Sequence, residues 1–231
     1  MSETIQNLNS INNPVNPTKT KKVKKDSFTK LQAFIMILLT LLVSVGGWYL
    51  VGKYYVWTDL DLKRVNEQLA YLQQKVQAEP NNAQTRIELG YTYSLKGKNE
   101  QAMKEFNQAL VLEPKNFNAL YNVGLLEIKE ERYNEALQNF QKAVELSPRD
   151  YKVHLQIGIT YRNLGMYEEA LKSLEKSNKL SPTNVEVIYE LGRLAEEKGD
   201  KESAIAIYKE ALTFDPLYKA AIESLERLEK K

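Results

Sequence analysis

His154 is the only imidazole in a chain of 231 residues, and the sequence holds no cysteine. Acid–base work by a histidine needs a second group to orient or charge it, and a metal site needs several ligands at fixed spacing. One isolated histidine meets neither requirement. The lack of cysteine excludes disulfides, thiol redox chemistry, Cys-ligated zinc and lipid attachment through a thiol. Adjacent carboxylates could share a proton, and three pairs occur: Glu130-Glu131, Glu168-Glu169 and Glu196-Glu197. All three fall near helix ends and turns, where solvated surface accounts for them. No G-x-S-x-G, Walker or dinucleotide glycine pattern is present. These residues predict no enzyme, no cofactor, no metal and no small-molecule substrate.

The elements that carry these residues repeat. Pro80, Pro114, Pro148, Pro182 and Pro216 recur every 34 residues. In phase with them run Gly90, Gly124, Gly158 and Gly192, then Ala102, Ala136, Ala170 and Ala204, then Phe106, Phe140, Leu174 and Tyr208. A fixed period of this size marks stacked supersecondary units. Within 117–150, Leu120, Val123, Leu126 and Ile128 predict a first helix, followed by a break near Glu131–Tyr133. Ala136, Phe140, Ala143 and Val144 then form an apolar stripe at helical spacing. Pro148 lacks a backbone donor and ends that second helix. Gly124 and Ala136 predict a close crossing of the two helices, and in the preceding unit the stripe Leu89, Gly90 and Tyr93 is expected to face the second helix.

Both ends of the array carry helical patterns. Thr58 or Asp59 can cap a leading helix running to about Glu79, with Leu62, Val65, Leu69, Leu72 and Val76 on one face. That face can cover the first unit; its 3-4 spacing also suits a short coiled-coil seam. Residues 219–231 place Ile222, Leu225 and Leu228 on one side of a capping helix.

The repeat resembles the tetratricopeptide repeat (TPR) family, which has the same 34-residue helix-turn-helix unit and the same small-residue and proline positions. The resemblance covers four units, 83–116, 117–150, 151–184 and 185–218. Arg86 and His154 depart from it where a bulky residue is expected early in the first helix, and Ser177 replaces an alanine. It implies an all-α solenoid whose first helices line a concave groove that binds peptides or helices. Carried over residue by residue, the groove holds Ile87, Tyr91 and Ser94; Tyr121, Leu125 and Ile128; Lys152, Leu155, Ile159 and Arg162; and Tyr189, Arg193 and Glu196. Chaperone-binding members hold a C-terminal carboxylate with a Lys/Asn/Arg set. Here Ile87 and Tyr91 stand in place of the first Lys and Asn, and only Asn122 and Lys152 match. The resemblance therefore implies an amphipathic helix or extended apolar segment as ligand.

The segment 31–52 has no charged side chain and, at ~1.5 Å per residue, reaches roughly 33 Å, enough for a transmembrane helix. Trp48, Tyr49, Tyr54, Tyr55 and Trp57 gather at its C-terminal end, as in an interfacial belt. Six lysines precede it within 1–30, against Glu3 and Asp26. The positive-inside rule then places a disordered basic tail, 1–30, in the cytoplasm. A juxtamembrane segment and leading helix, 53–82, and the repeats fall on the extracytoplasmic side of a bacterial cytoplasmic membrane. A cleaved signal peptide, with Ser44-Val45-Gly46 as its site, competes with the uncleaved anchor. Residues 59–231 carry 25 Lys/Arg against 28 Asp/Glu; this acidic balance argues against nucleic acid as a partner. The expected function is a membrane-anchored scaffold or assembly factor, with a permanent structural subunit of a cell-envelope complex as the alternative.

Overall fold

The computed structural model describes residues 38–40 and 58–230. The chain divides into Met1–Thr58 and Asp59–Lys231. In the first unit Leu38–Thr40 are helical. The expected basic tail, nearly all of the expected span 31–52 and the aromatic belt lie outside the described residues. Among the described residues no helix is long and apolar enough to cross a membrane.

From Thr58 onward the described chain is a succession of helices. The leading helix α1 is Thr58–Ala78, and four hairpins follow: α2 Ala83–Leu95 with α3 Asn99–Leu112, α4 Phe117–Lys129 with α5 Tyr133–Leu146, α6 Tyr151–Asn163 with α7 Tyr167–Leu180, and α8 Val185–Glu197 with α9 Lys201–Phe214. The last is α10, Lys219–Glu229. No strand occurs among the described residues.

Each first helix starts the same way. Asn82, Asn116, Asp150 and Asn184 sit in phase at the N-caps, and their side chains accept from the backbone N–H of Thr85, Ala119, Lys152 and Val187. Such a cap satisfies one of the orphan donors of the first turn, worth typically ~1 kcal/mol. Between hairpin arms the turn needs one residue with positive φ. Gly97, Gly165 and Gly199 supply it at φ 68°, 73° and 85°; the second unit uses Glu131 at φ 59°.

The in-phase glycines work differently from a simple close crossing. A Cβ at Gly90, Gly124 or Gly192 would lie within 2.6–2.8 Å of the ring of Phe106, Phe140 or Tyr208, and at Gly158 it would meet Leu174 Cγ at 2.6 Å. The glycine is a socket for the large side chain of the second helix, and Ala102, Ala136, Ala170 and Ala204, all fully buried, let the helices approach. The expected stripe on α2 splits accordingly. Gly90 faces Phe106 within the hairpin, whereas Leu89 packs with Leu69 and Leu72 of α1, with Tyr93 beside them.

The two polar departures early in the first helices share one role. Arg86 Nε donates to the Pro80 carbonyl at 2.9 Å, and His154 Nε2 lies 2.9 Å from the Pro148 carbonyl. Leu120 and Ile188 fill the equivalent position with buried apolar bulk. Ser177, fully buried, donates its hydroxyl to the Tyr151 carbonyl at 2.8 Å. His154 is therefore a turn fastener.

At the ends, α1 buries Leu69 and Leu72 against the first hairpin, which uses the centre of the possible coiled-coil seam within the chain; Leu62 remains 58% exposed. Where the array places Ala102 and Ala109, α1 has Gln68 and Lys75, 34 residues earlier. On α10, Ala221, Leu225 and Leu228 are buried against the last hairpin, with Ile222 half-buried.

Candidate partner-binding face

Successive first helices touch one another, α2 with α4, α4 with α6 and α6 with α8, whereas successive second helices are held further apart. The first helices therefore line the inner, concave side of the stack. Residues spaced i, i+4, i+7 along them form its surface.

The thirteen residues expected in the groove do not all reach it. Ile87 and Leu155 are 5% and 2% exposed and belong to the packing between hairpins: Ile87 lies with Phe106, Ala119 and Val123, and Leu155 with Leu174 and Val187. They seal adjacent repeats and are unavailable to a ligand. Arg162, expected as a basic group at the groove's side, is 5% exposed. Tyr91 is 52% exposed and Lys152 is also exposed. Tyr121, Leu125, Ile128, Ile159, Tyr189 and Arg193 are half-buried, with part of each side chain on the surface. Ser94 and Glu196 are half-buried as well. Leu95, not among the expected residues, is 58% exposed beside Tyr91 on α2.

Units one and two thus present an apolar strip: Tyr91, Leu95, Leu125 and Ile128, with Tyr121 at its centre. Tyr121 stacks on Phe117 at 6.0 Å and meets Phe140 edge-on at 5.8 Å. These contacts fix its ring, so little rotamer freedom is left to lose on binding. Burial, followed by the Asp150 and Glu186 carboxylates, pushes the Tyr121 hydroxyl up to about 12, while a bond to the Gln156 side chain pulls the other way. The phenol stays protonated and can donate.

Arg162, Arg193 and Glu196 carry charge on the same face in units three and four, and that charge is already paired. Arg162 on α6 reaches Glu190 at 3.3 Å and Glu197 on α8. Arg193 bridges Glu190 and Glu197, both at 3.5 Å. Arg227 on α10 donates to both oxygens of Glu196 at 2.8 Å, and Glu196 also accepts from the buried Tyr208 hydroxyl at 2.8 Å. Glu196-Glu197 is therefore more than solvated surface: Glu196 is half-buried and Glu197 exposed, and both belong to an ion-pair chain that links α6, α8 and α10. Burial holds the Glu190 carboxyl above its ordinary range, with Arg162 and Arg193 opposing. The arginines expected to give the groove a basic side are neutralised from within. The signal for this was present in the sequence, since Glu190 and Glu197 stand seven apart on one helix face with Arg193 between them. Among the described residues no group of His, Asp and Glu is placed to hold a metal ion.

This arrangement defines a class: paired helices stacked at a 34-residue period with the first helices on the inner face. Residues 90–130 match a family model for TPR repeats, and residues 164–228 match a second, for tetratricopeptide repeats. The chain carries tetratricopeptide repeats over these segments. Residues 118–186 also match the model described as regulator of microtubule dynamics protein 1-3. No curated protein matches the chain.

Among solved structures, MamA from Desulfovibrio magneticus is similar with a TM-score of 0.62 at 22% identity, over 73% of this chain and 97% of that one. YrrB, a TPR protein with an unusual peptide-binding site, is similar at 0.60 and 24% identity, over 72% of this chain and 86% of YrrB. A thermophilic TPR protein of Thermus thermophilus gives 0.61 at 19% identity, over 75% of this chain and 95% of that one. Likeness at these identities establishes the fold.

Proposed function

We propose that this protein is a membrane-anchored scaffold or assembly factor that holds protein partners on the concave face of its TPR array, on the extracytoplasmic side of a bacterial cytoplasmic membrane. The observation that carries the reading is the open apolar strip of Tyr91, Leu95, Tyr121, Leu125 and Ile128 on one inner surface. A contiguous apolar face with fixed aromatic rings is a common mark of a partner site. Its ligand is an amphipathic helix or an extended apolar segment, which offers side chains at matching intervals. The peptide-binding site of YrrB supports the same use of the fold.

The uncharged stretch 31–52 supplies the anchor, which confines the groove to the membrane surface and raises its effective concentration for partners there. The excess of lysine before that stretch supports the orientation. The repeats act by binding, with no catalytic step.

A photo-crosslinking residue at Tyr121 in cells, with exposed Gln138 on α5 as control, tests the face. Adducts at position 121 alone support the reading; adducts at 138 alone overturn it. Cysteines introduced at Ser10 and Lys115 test the anchor with an impermeant reagent on intact cells. Labelling of 115 and not 10 is expected, and the reverse pattern sinks the topology.

A further inference from the structure

The rim of the fourth unit holds carboxylate and aromatic groups that the ion-pair chain does not use. Tyr189 on α8 lies at the centre of a tyrosine cluster. Its ring sits 5.5 Å from that of Tyr208 and 5.4 Å from that of Tyr218, the latter edge-on at 70°. Tyr208 is fully buried against Gly192 and fixes Tyr189 from below. Tyr189 and Tyr218 remain half-buried, so part of each residue stays on the surface. One helical turn before Tyr189, on the same face of α8, stands Glu186. It is exposed, and among the described residues it takes part in no ion pair or hydrogen bond.

Carboxylates act on this cluster. Burial first, then Glu186 and Glu190, raises the Tyr218 hydroxyl, and the same Glu186 acts on Tyr121 across the groove. Glu190 is committed to Arg162 and Arg193, and Glu196 to Arg227. Glu186 has no such partner. Lys152, 34 residues earlier, is exposed but forms no ion pair with it.

We infer that Glu186, Tyr189 and Tyr218 form a subsite for a cationic side chain, lysine or arginine, of the bound partner. The two ring surfaces offer negative quadrupole and the carboxylate a full charge, and together they suit a cation with an apolar stem. The chain itself places a cation against tyrosine elsewhere, with Lys98 Nζ 6.0 Å from the Tyr93 ring centre. The inference rests on the groove reading above and gives it a direction. The ligand lays apolar side chains over Tyr91 and Leu125 and turns a basic one toward α8.

The test uses the full-length chain, isotopically labelled, titrated with N-acetyl-arginine amide and, separately, with the uncharged N-acetyl-citrulline amide of nearly the same shape. The cation should shift the backbone amides of Glu186, Tyr189 and Tyr218 saturably, and citrulline amide should bind about tenfold more weakly. Glu186→Gln, an exposed change that leaves the fold intact, should remove most of that preference, and Tyr218→Leu should weaken the cation further. Equal binding of the two probes overturns the subsite, as does an arginine response indifferent to Glu186→Gln or the absence of any saturable shift. A crosslink from Tyr121 would survive that failure, since the apolar strip does not depend on Glu186. Loss of the Tyr121 crosslink with the arginine preference intact would instead point to the groove reading.

Discussion

Position for position, the two halves of the concave face use the same fold to opposite ends. Leu125 on α4 and Arg193 on α8 are equivalent residues two repeats apart, as are Ile128 and Glu196. In unit two these positions are apolar and half-buried, and in unit one they hold exposed Tyr91 and half-buried Ser94. In unit four, and at Arg162 of unit three, they form ion pairs running from α6 through α8 to α10, while Ile159 of unit three stays apolar. A solenoid has only local contacts, so each repeat interface must be stabilised where it stands. The C-terminal half spends its inner face on that task and keeps only its rim free. The N-terminal half is held by its hairpin cores and keeps Tyr91 and Leu95 exposed on its inner face.

The sharpest way to break this comparison is at Arg162, whose side chain is 4% exposed between two carboxylates. Arg162→Met leaves Glu190 buried with Arg193 alone, and removing one member of a buried pair costs about 3–5 kcal/mol. A denaturant melt showing a loss below about 1 kcal/mol would mean the pair behaves as a surface ion pair and the stitching is not structural.

Next in size is the socket in the open half. Gly124→Ala places a methyl 2.7 Å from the Phe140 ring, and overpacking of this kind costs roughly 1–3 kcal/mol. No loss of stability would show that the hairpin core of unit two gives way freely. It could not then be what frees the inner face. Glu131→Gly works the other way. A side chain in the left-handed region carries a penalty that glycine avoids, so the variant should gain about 1 kcal/mol in the same melt. A loss would mean Glu131 makes a compensating contact.

Tyr91→Ser should change stability by no more than about 0.5 kcal/mol, since the residue is exposed. Its effect should appear in partner crosslinking alone. A large loss of stability would place Tyr91 in the core and contradict its role.

The last prediction concerns pH. Glu190 is held above the ordinary glutamate value of 4.5, chiefly by burial. The fold therefore favours its protonated form more than the unfolded chain does. Its contribution to stability is present below the unfolded value and is lost as pH rises through the raised folded value. Glu190→Gln should gain on the wild type as pH rises through that window. An opposite slope would mean the arginines outweigh desolvation.

Much of the architecture was legible in the sequence because a repeat states each rule four times. The prolines, alanines and large second-helix residues recur at one period, and the described helices start and stop around them. The sequence also marks the N-caps, since Asn82, Asn116, Asp150 and Asn184 recur two residues after each proline. Less legible was depth within the inner face. Ile87 and Leu155 share a stripe with Leu125, yet neighbouring first helices close over them because the array curves. Arg162 reads as a surface cation until Glu190 and Glu197, some thirty residues on, are brought beside it. Such pairing depends on the rotation between repeats, which no local pattern encodes. Glu131 breaks the glycine rule at one turn in four, and nothing nearby in sequence announces it.

The division of the inner face is tested most directly by one pair of photo-crosslinking residues in cells, at Leu125 and at its equivalent, Arg193. Partner adducts should form at Leu125 and be absent or much weaker at Arg193. Adducts of equal yield at both positions, or at Arg193 alone, would contradict the assignment of the partner to the apolar half.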